Sequence, residues 1–367
     1  MIILKRSPLF YLALITLFAF IVRFWGFWID APHVDEVFTI ELLNHSLRYI
    51  IQYTLTTDCN PPLFYLIDWV SVHLFGFNTF GQRLPSVIFG TLLIPAVYVL
   101  GKEFRDEKLG LLSALAMATL GSMWYYSGFG RTYMLNCLLF ACFAVYVLRV
   151  LKGKDRRLSW IGIIACTSAL AYAHLFSVIA TGTILFLVLF ESRERMAIRF
   201  WNIVRIIIIC SPLSFLFYAV LTTRAPGKEA VTGVWNWWGV TPDQIFIWGP
   251  LEFFNYTAFI WIPLIVYAVW RYRAQRFVQF VTFSFFMSLS ALVFLSNITP
   301  VFIRYIILFV PVLCTIALSG IIDFWEEKES VWPYVLKRNL IYSLIVFYIA
   351  CELFAIIFGF YAPKGHL

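Results

Sequence analysis

The chain has 367 residues, of which 62% are hydrophobic, 19% aromatic and 13% charged, against about 25% charged in soluble domains. That balance excludes an ordinary soluble globular protein and points to an integral membrane protein. The formal net charge of +8 lies in short Lys and Arg clusters between apolar runs, a mark of membrane topology and not of a nucleic-acid-binding face.

The first element is an apolar run over about residues 9–29, long enough to cross a bilayer as a helix of roughly 20 residues. Lys5 and Arg6 precede it. Arg23 and two tryptophans stand where small residues would precede signal cleavage, so a retained span is expected. Two polar islands follow, HVDEVFT at 33–39 and TTDCNPPLFY at 56–65. The next apolar run, PPLFYLIDWVSVHLFGF at 61–77, is short, opens on two prolines and carries Asp68 and His73. Counted as a crossing, it puts the basic clusters after residue 101 on the wrong side relative to Lys5 and Arg6. It is therefore read as a juxtamembrane helix lying at the surface.

The expected fold is an all-α polytopic membrane protein of eleven spans, at about 9–29, 83–101, 109–127, 132–151, 158–174, 175–191, 203–222, 254–271, 277–296, 302–322 and 339–361. The N-terminus is then cytoplasmic and the C-terminus outside, with most of the 28 Lys and Arg residues on the cytoplasmic side. A first outer loop, about 30–82, holds two juxtamembrane helices, and a second, about 223–253, is rich in tryptophan as interfacial segments are. The whole of 1–367 reads as one transmembrane domain with no separate soluble domain and no internal repeat. The seven cysteines form no CxxC pair, hence neither a disulfide framework nor a zinc site.

Sorted by depth, the unusual polar residues collect at one mouth of the bundle. Asp35, Glu36, Asp58, Asn60, Arg83, Arg131, Tyr133, His174, Arg304 and Tyr305 all fall at outer span ends or in outer loops, and Arg23 in the outer third of the first span. Arginine at a span boundary is costly unless it snorkels or is paired. Together Arg23, Arg131 and Arg304 suit an anion at the bilayer surface, because guanidinium bonds phosphate with two prongs. Beside such a site a carboxylate can accept the proton of an attacking hydroxyl, while arginines stabilise charge on a departing phosphate. No Gly-rich phosphate loop occurs, so the phosphate is expected on a lipid.

This pattern resembles the membrane-embedded GT-C superfamily of glycosyltransferases, and within it the branch of dolichyl-phosphate-mannose protein mannosyltransferases and the aminoarabinose transferase of lipid A. The resemblance rests on Asp35-Glu36 after the first span, the HPPLYY-like Asn60-Pro61-Pro62-Leu63-Phe64-Tyr65, Leu74-Phe75-Gly76 with Arg83-Leu84-Pro85-Ser86, the SQExRMY-like Ser127 to Tyr133, His174, and Arg304-Tyr305. It departs at Asn60, where a titrating histidine is replaced, and at Phe129, where an acidic residue is missing.

The resemblance implies a GT-C fold and an inverting glycosyltransferase. It would move a monosaccharide from a polyprenyl-phosphate donor to a hydroxyl of a lipid, glycan or protein acceptor. Asp35 and Glu36 are the candidates for general base and its partner. Arg131, Arg304, Tyr305, Arg23, Arg83 and His174 are candidate ligands of the donor phosphate. Asp58, Asn60 and Tyr133 are candidates for binding sugar or acceptor, although Asp58 equally suits the cap of the helix that Pro61 starts. With Phe129 in place of an acid, metal-independent turnover is expected and no cofactor; a divalent ion is possible but not favoured. The expected location is a prokaryotic cytoplasmic membrane with the site facing outward. The rival reading, a secondary transporter or lipid flippase, calls for ionisable residues near mid-membrane on interrupted helices in repeated halves.

Overall fold

The structure, a computed structural model, describes residues 7–26, 33–56, 60–154, 156–191, 201, 204–205, 253–254, 257–295, 303–327 and 334–357. Among them lie fourteen α-helices: α1 (Pro8–Gly26), α2 (Val34–Leu43), α3 (Leu47–Thr56), α4 (Pro62–Phe75), α5 (Thr79–Phe104), α6 (Glu107–Thr119), α7 (Gly121–Ser127), α8 (Tyr133–Leu151), α9 (Arg156–Ala173), α10 (Phe176–Glu191), α11 (Ala258–Arg271), α12 (Arg276–Leu295), α13 (Val310–Glu326) and α14 (Tyr334–Ile357). A 3-10 segment, Ile303–Phe309, leads into α13.

Five of these elements are long and apolar enough to cross a membrane, and six if the bent pair α6–α7 counts as one. The eleven expected spans are thus matched in kind, while their number is not established. Apart from 204–205 and 253, the stretches expected at 203–222 and 223–253 lie outside the described residues. Two local corrections follow. The span expected at 109–127 is broken, with α6 and α7 meeting at 61° around Leu120. The first loop carries three short helices, α2, α3 and α4, where two were expected.

Each element starts for a legible reason. His33 caps α2, and Glu36 at the third helical position completes a capping box by accepting from the His33 N–H, which satisfies two orphan donors of the first turn. Pro61 and Pro62 open α4, where a missing N–H costs nothing. The Asn78 side chain caps α5 by accepting from the Gly81 N–H at 3.0 Å.

The core is built where α5 packs on α6 and α8, α8 on α9, and α11 on α13. It is lined by fully buried side chains such as Leu93, Met117, Phe140 and Phe309. By contrast α1 turns Leu14, Leu17, Phe18, Ile21 and Trp25 outward, as expected of a lipid-facing helix.

Helix α5 separates two charge clusters. Arg83 lies near its start and Arg105 just past its end, about 33 Å away at 1.5 Å per residue. At the far end Arg105 bonds Asp323 and Glu326, Lys108 bonds Glu326, Arg149 and Lys154 bond Glu103, and the Tyr272 hydroxyl donates to Asp323. The near end holds the candidate site.

Candidate active site

At the near end the two adjacent carboxylates have opposite surroundings. Asp35 and Glu36 are successive residues of one helix turn and point about 100° apart. Glu36 is fully buried, and four donors saturate it. Oε1 accepts from Arg83 Nε at 2.8 Å and from the Gly130 N–H at 2.7 Å; Oε2 accepts from Arg83 Nη2 at 2.8 Å and from the His33 N–H at 2.9 Å. Its backbone carbonyl accepts from Gln82 Nε2 at 2.8 Å. A Cβ on Gly130 would lie 2.8 Å from Gln82 Cγ and 3.2 Å from Glu36 Oε1, so only glycine lets the backbone approach this carboxylate.

Asp35 keeps 28% of its side chain exposed and faces two arginines, Arg304 (12% exposed) at 3.2 Å and Arg131 (15% exposed) at 3.9 Å. Arg131 is braced from behind: its Nη1 donates to Thr39 Oγ1 at 2.8 Å and to the Tyr65 hydroxyl at 3.0 Å. Thr39 in turn donates to the Asp35 carbonyl at 2.8 Å, and Ser86 donates to the Arg131 carbonyl at 3.1 Å. Arg304 lies over the Tyr133 ring, 5.7 Å from its centroid, a cation–π contact that orients the guanidinium. The result is one accessible carboxylate between two oriented cations.

His174 stands beside them, in the turn between α9 and α10. Its Nδ1 accepts from the Phe176 N–H at 3.2 Å, which leaves Nε2 as the protonated nitrogen of a neutral ring. Its ring meets Tyr305 at 4.5 Å. His33, at the entrance to α2, accepts the Asp35 N–H on Nδ1 at 3.1 Å. Burial lowers the His33 pKa from its usual value, Asp35 acting in the opposite sense.

Two candidate phosphate ligands stand apart from this cluster. The Arg23 guanidinium is fully buried and donates to Ser127 Oγ at 3.0 Å, the Met117 carbonyl at 2.8 Å and the Ala19 carbonyl at 3.2 Å. Arg83 is held by Glu36 and is 3% exposed. Asn60 is half-buried at the start of α4, and Asp58 lies outside the described residues. Phe129, where an acid was expected, stacks on Tyr133 at 5.9 Å and Tyr125 at 6.1 Å and meets the His33 ring at 5.3 Å. Among the described residues no group of three or more His, Cys, Asp or Glu side chains could hold a metal ion.

Thr39, Tyr65, Gln82 and Gly130 were missed as site-building residues. Tyr65 and Gly130 lie inside the two motifs quoted above, which was their only signal. Asp68 of α4 is fully buried, and neither carboxyl oxygen has a hydrogen-bond partner. Burial pushes its pKa well above the usual carboxylate range.

This helical architecture is shared with other solved proteins. The structure matches ArnT from Cupriavidus metallidurans, solved in the apo state and bound to undecaprenyl phosphate, with a TM-score of 0.64 and 19% identity over 94% of this chain and 64% of that one. It matches the oligosaccharyltransferase of Archaeoglobus fulgidus in the apo form with a TM-score of 0.60 and 12% identity over 95% of this chain and 56% of that one. The archaeal oligosaccharyltransferase AglB from the same organism, in complex with an inhibitory peptide and a dolichol-phosphate, gives a TM-score of 0.55 at 13% identity over 98% of this chain and 54% of that one. The chain thus spans somewhat under two thirds of the length of the solved proteins it matches. The family model described as dolichyl-phosphate-mannose-protein mannosyltransferase matches residues 59–223, a little under half of the chain. No curated protein matches the chain. The chain has the GT-C fold, and its resemblance is to the ArnT and protein-mannosyltransferase type within it.

Proposed function

We propose that the chain is an inverting glycosyltransferase that uses a polyprenyl-phosphate-linked monosaccharide and an acceptor hydroxyl at the extracytoplasmic face of a membrane. The observation that carries this reading is the accessible carboxylate of Asp35, set between the Arg131 and Arg304 guanidiniums. Undecaprenyl phosphate in the similar ArnT and dolichol-phosphate in the similar archaeal enzyme support a lipid phosphate as the anion between those arginines.

In this mechanism the donor phosphate replaces Asp35 as partner of Arg131 and Arg304, which frees the carboxylate. The acceptor oxygen attacks C1 of the sugar from the face opposite the phosphate. The C1–O bond to phosphate breaks as the new C1–O bond forms, so configuration inverts. The acceptor proton passes to Asp35, and the polyprenyl phosphate leaves with its added charge held by the two guanidiniums. His174 donates through Nε2 to a phosphate oxygen, Tyr305 orients His174, and Tyr133 orients Arg304. Glu36 and Arg83 build the site without touching substrate, and Arg23 holds the helix behind it. Asn60 and Asp58 flank the sugar or acceptor.

The chemistry needs no metal ion in this reading, since the second acidic position is Phe129 and Glu36 is occupied by Arg83. The test is product mass spectrometry with purified protein, a panel of polyprenyl-phosphate sugars and chelator in every reaction. Transfer is expected with the parent protein and a loss of about 10²–10⁴-fold with Asp35→Asn. Full turnover by that variant removes Asp35 as base, and activity seen only after a divalent ion is added back overturns the metal-free chemistry.

A further inference from the structure

Helices α6 and α7 are two halves of one apolar stretch, broken where Leu120 takes the extended backbone angles φ −66° and ψ 118°. In an uninterrupted helix the Gly121 N–H would donate to the Met117 carbonyl. Here that bond is missing, and inside a membrane its two halves need other partners. Arg23 of α1 donates to the Met117 carbonyl at 2.8 Å, and Glu352 of α14 accepts from the Gly121 N–H at 3.1 Å on Oε2. Both side chains are buried.

The same Arg23 reaches the other end of α7 through Ser127 Oγ at 3.0 Å. One guanidinium therefore ties the last turn of α6 to the last residue of α7. Gly90 of α5 makes the room, since a Cβ there would lie 2.1 Å from Ser127 Oγ and 3.2 Å from Arg23 Nε. Three residues past Ser127 comes Gly130, which bonds Glu36, and then Arg131, which faces Asp35.

We propose that Glu352 is a positioning residue for Arg131: by holding the Gly121 N–H it fixes the bend at Leu120, and with Arg23 it sets where α7 delivers Gly130 and Arg131. The proposal rests on the reading of Arg131 as a phosphate ligand. The Thr257 hydroxyl has one hydrogen, which its short contact with the Phe254 carbonyl takes, because a carbonyl only accepts. Glu352 Oε1 lies 3.4 Å from that hydroxyl oxygen. Glutamine reproduces both contacts, with its carbonyl on Gly121 and its amide on Thr257; aspartate keeps the acid and loses the reach.

The experiment uses the full chain in lipid nanodiscs, with Glu352→Gln, Glu352→Asp, Arg131→Ala and the double variant Glu352→Asp with Arg131→Ala. Amide hydrogen exchange over residues 121–131 is measured, together with affinity for undecaprenyl phosphate. Faster exchange and about tenfold weaker binding are expected for Glu352→Asp, parent-like values for Glu352→Gln, and no further loss of binding when Glu352→Asp is added to Arg131→Ala. Parent-like exchange in Glu352→Asp, or loss in Glu352→Gln, overturns the positioning role. Parent-like binding in Arg131→Ala overturns the phosphate reading, while the exchange data still decide the position of the segment. Should Glu352→Asp not accumulate folded, Thr257→Val removes the group that orients Glu352 and is expected to speed exchange in the same segment; no change there overturns the proposal equally.

Discussion

Replacing Glu36 with glutamine separates a structural carboxylate from a chemical one. The parent carboxylate accepts four donors, two on each oxygen. Glutamine offers one accepting oxygen and one amide nitrogen that can only donate, so two of the four donors lose their acceptor and meet another donor. At about 1.5–3 kcal/mol for each hydrogen bond to a charged group, the expected loss of stability is about 3–6 kcal/mol. That overlaps the roughly 3–5 kcal/mol measured elsewhere when one partner of a buried ion pair is removed. Reversible unfolding in detergent micelles reads it directly. The double change Glu36→Leu with Arg83→Leu removes both charges and should recover most of the loss, because an apolar pair leaves no unpaired buried ion. Per folded molecule, Glu36→Gln should lose far less turnover than Asp35→Asn. A Glu36→Gln protein within about 1 kcal/mol of the parent, or a double variant destabilised by the full sum of its single changes, would refute the reasoning.

Arg304→Lys keeps the charge but not the planar fork over Tyr133, and affinity for undecaprenyl phosphate should fall about tenfold; unchanged affinity in a direct binding assay removes Arg304 from the phosphate site. His33 has a lowered pKa in the folded chain, so its contribution to stability is complete above the usual histidine value of about 6.5 and is lost as pH falls through the lower folded value. His33→Asn, which still caps α2, should remove that slope from thermal unfolding recorded between pH 7 and 5. Asp68 behaves in the opposite sense: its raised pKa means stability is lost as pH rises above the carboxylate range. Asp68→Leu should therefore raise stability at pH 7 by about 1–3 kcal/mol, the cost of an unsatisfied buried polar group, and a lower melting temperature at that pH would show that Asp68 has a partner.

Much of the fold was legible because a bilayer restricts what a sequence can do. Apolar length and the placement of Lys and Arg led to helices, and the two prolines opening α4 together with the charge count argued that this helix does not cross. The break at Leu120 was not legible. The run from Leu109 to Ser127 carries no charge and no proline, and its bend is supported by Arg23 and Glu352, which are far away in the chain. That Asp35, Glu36, Arg83, Arg131 and Arg304 lie together was legible, since charges are rare here and fall at one depth. Their division was not visible: Asp35 and Glu36 differ only in which face of α2 meets Arg83, and that depends on packing between α2 and α5. Arg23 looked like a phosphate ligand because depth alone does not say whether an arginine faces the mouth or a neighbouring helix.

The contact between Arg304 and Asp35 joins residues 269 positions apart in the chain. During synthesis at about 5–20 residues per second, roughly 13 to 54 seconds separate the appearance of Asp35 from that of Arg304. Throughout that interval the carboxylate waits at the membrane without its last partner, joined partway by Arg131. A ribosome that stalls before residue 304 leaves behind a chain with most of its helices inserted and half a binding site. Completion of this cluster is therefore a late event in the protein's biosynthesis, and premature termination anywhere before the 3-10 segment should yield membrane protein that lacks the Asp35–Arg304 contact.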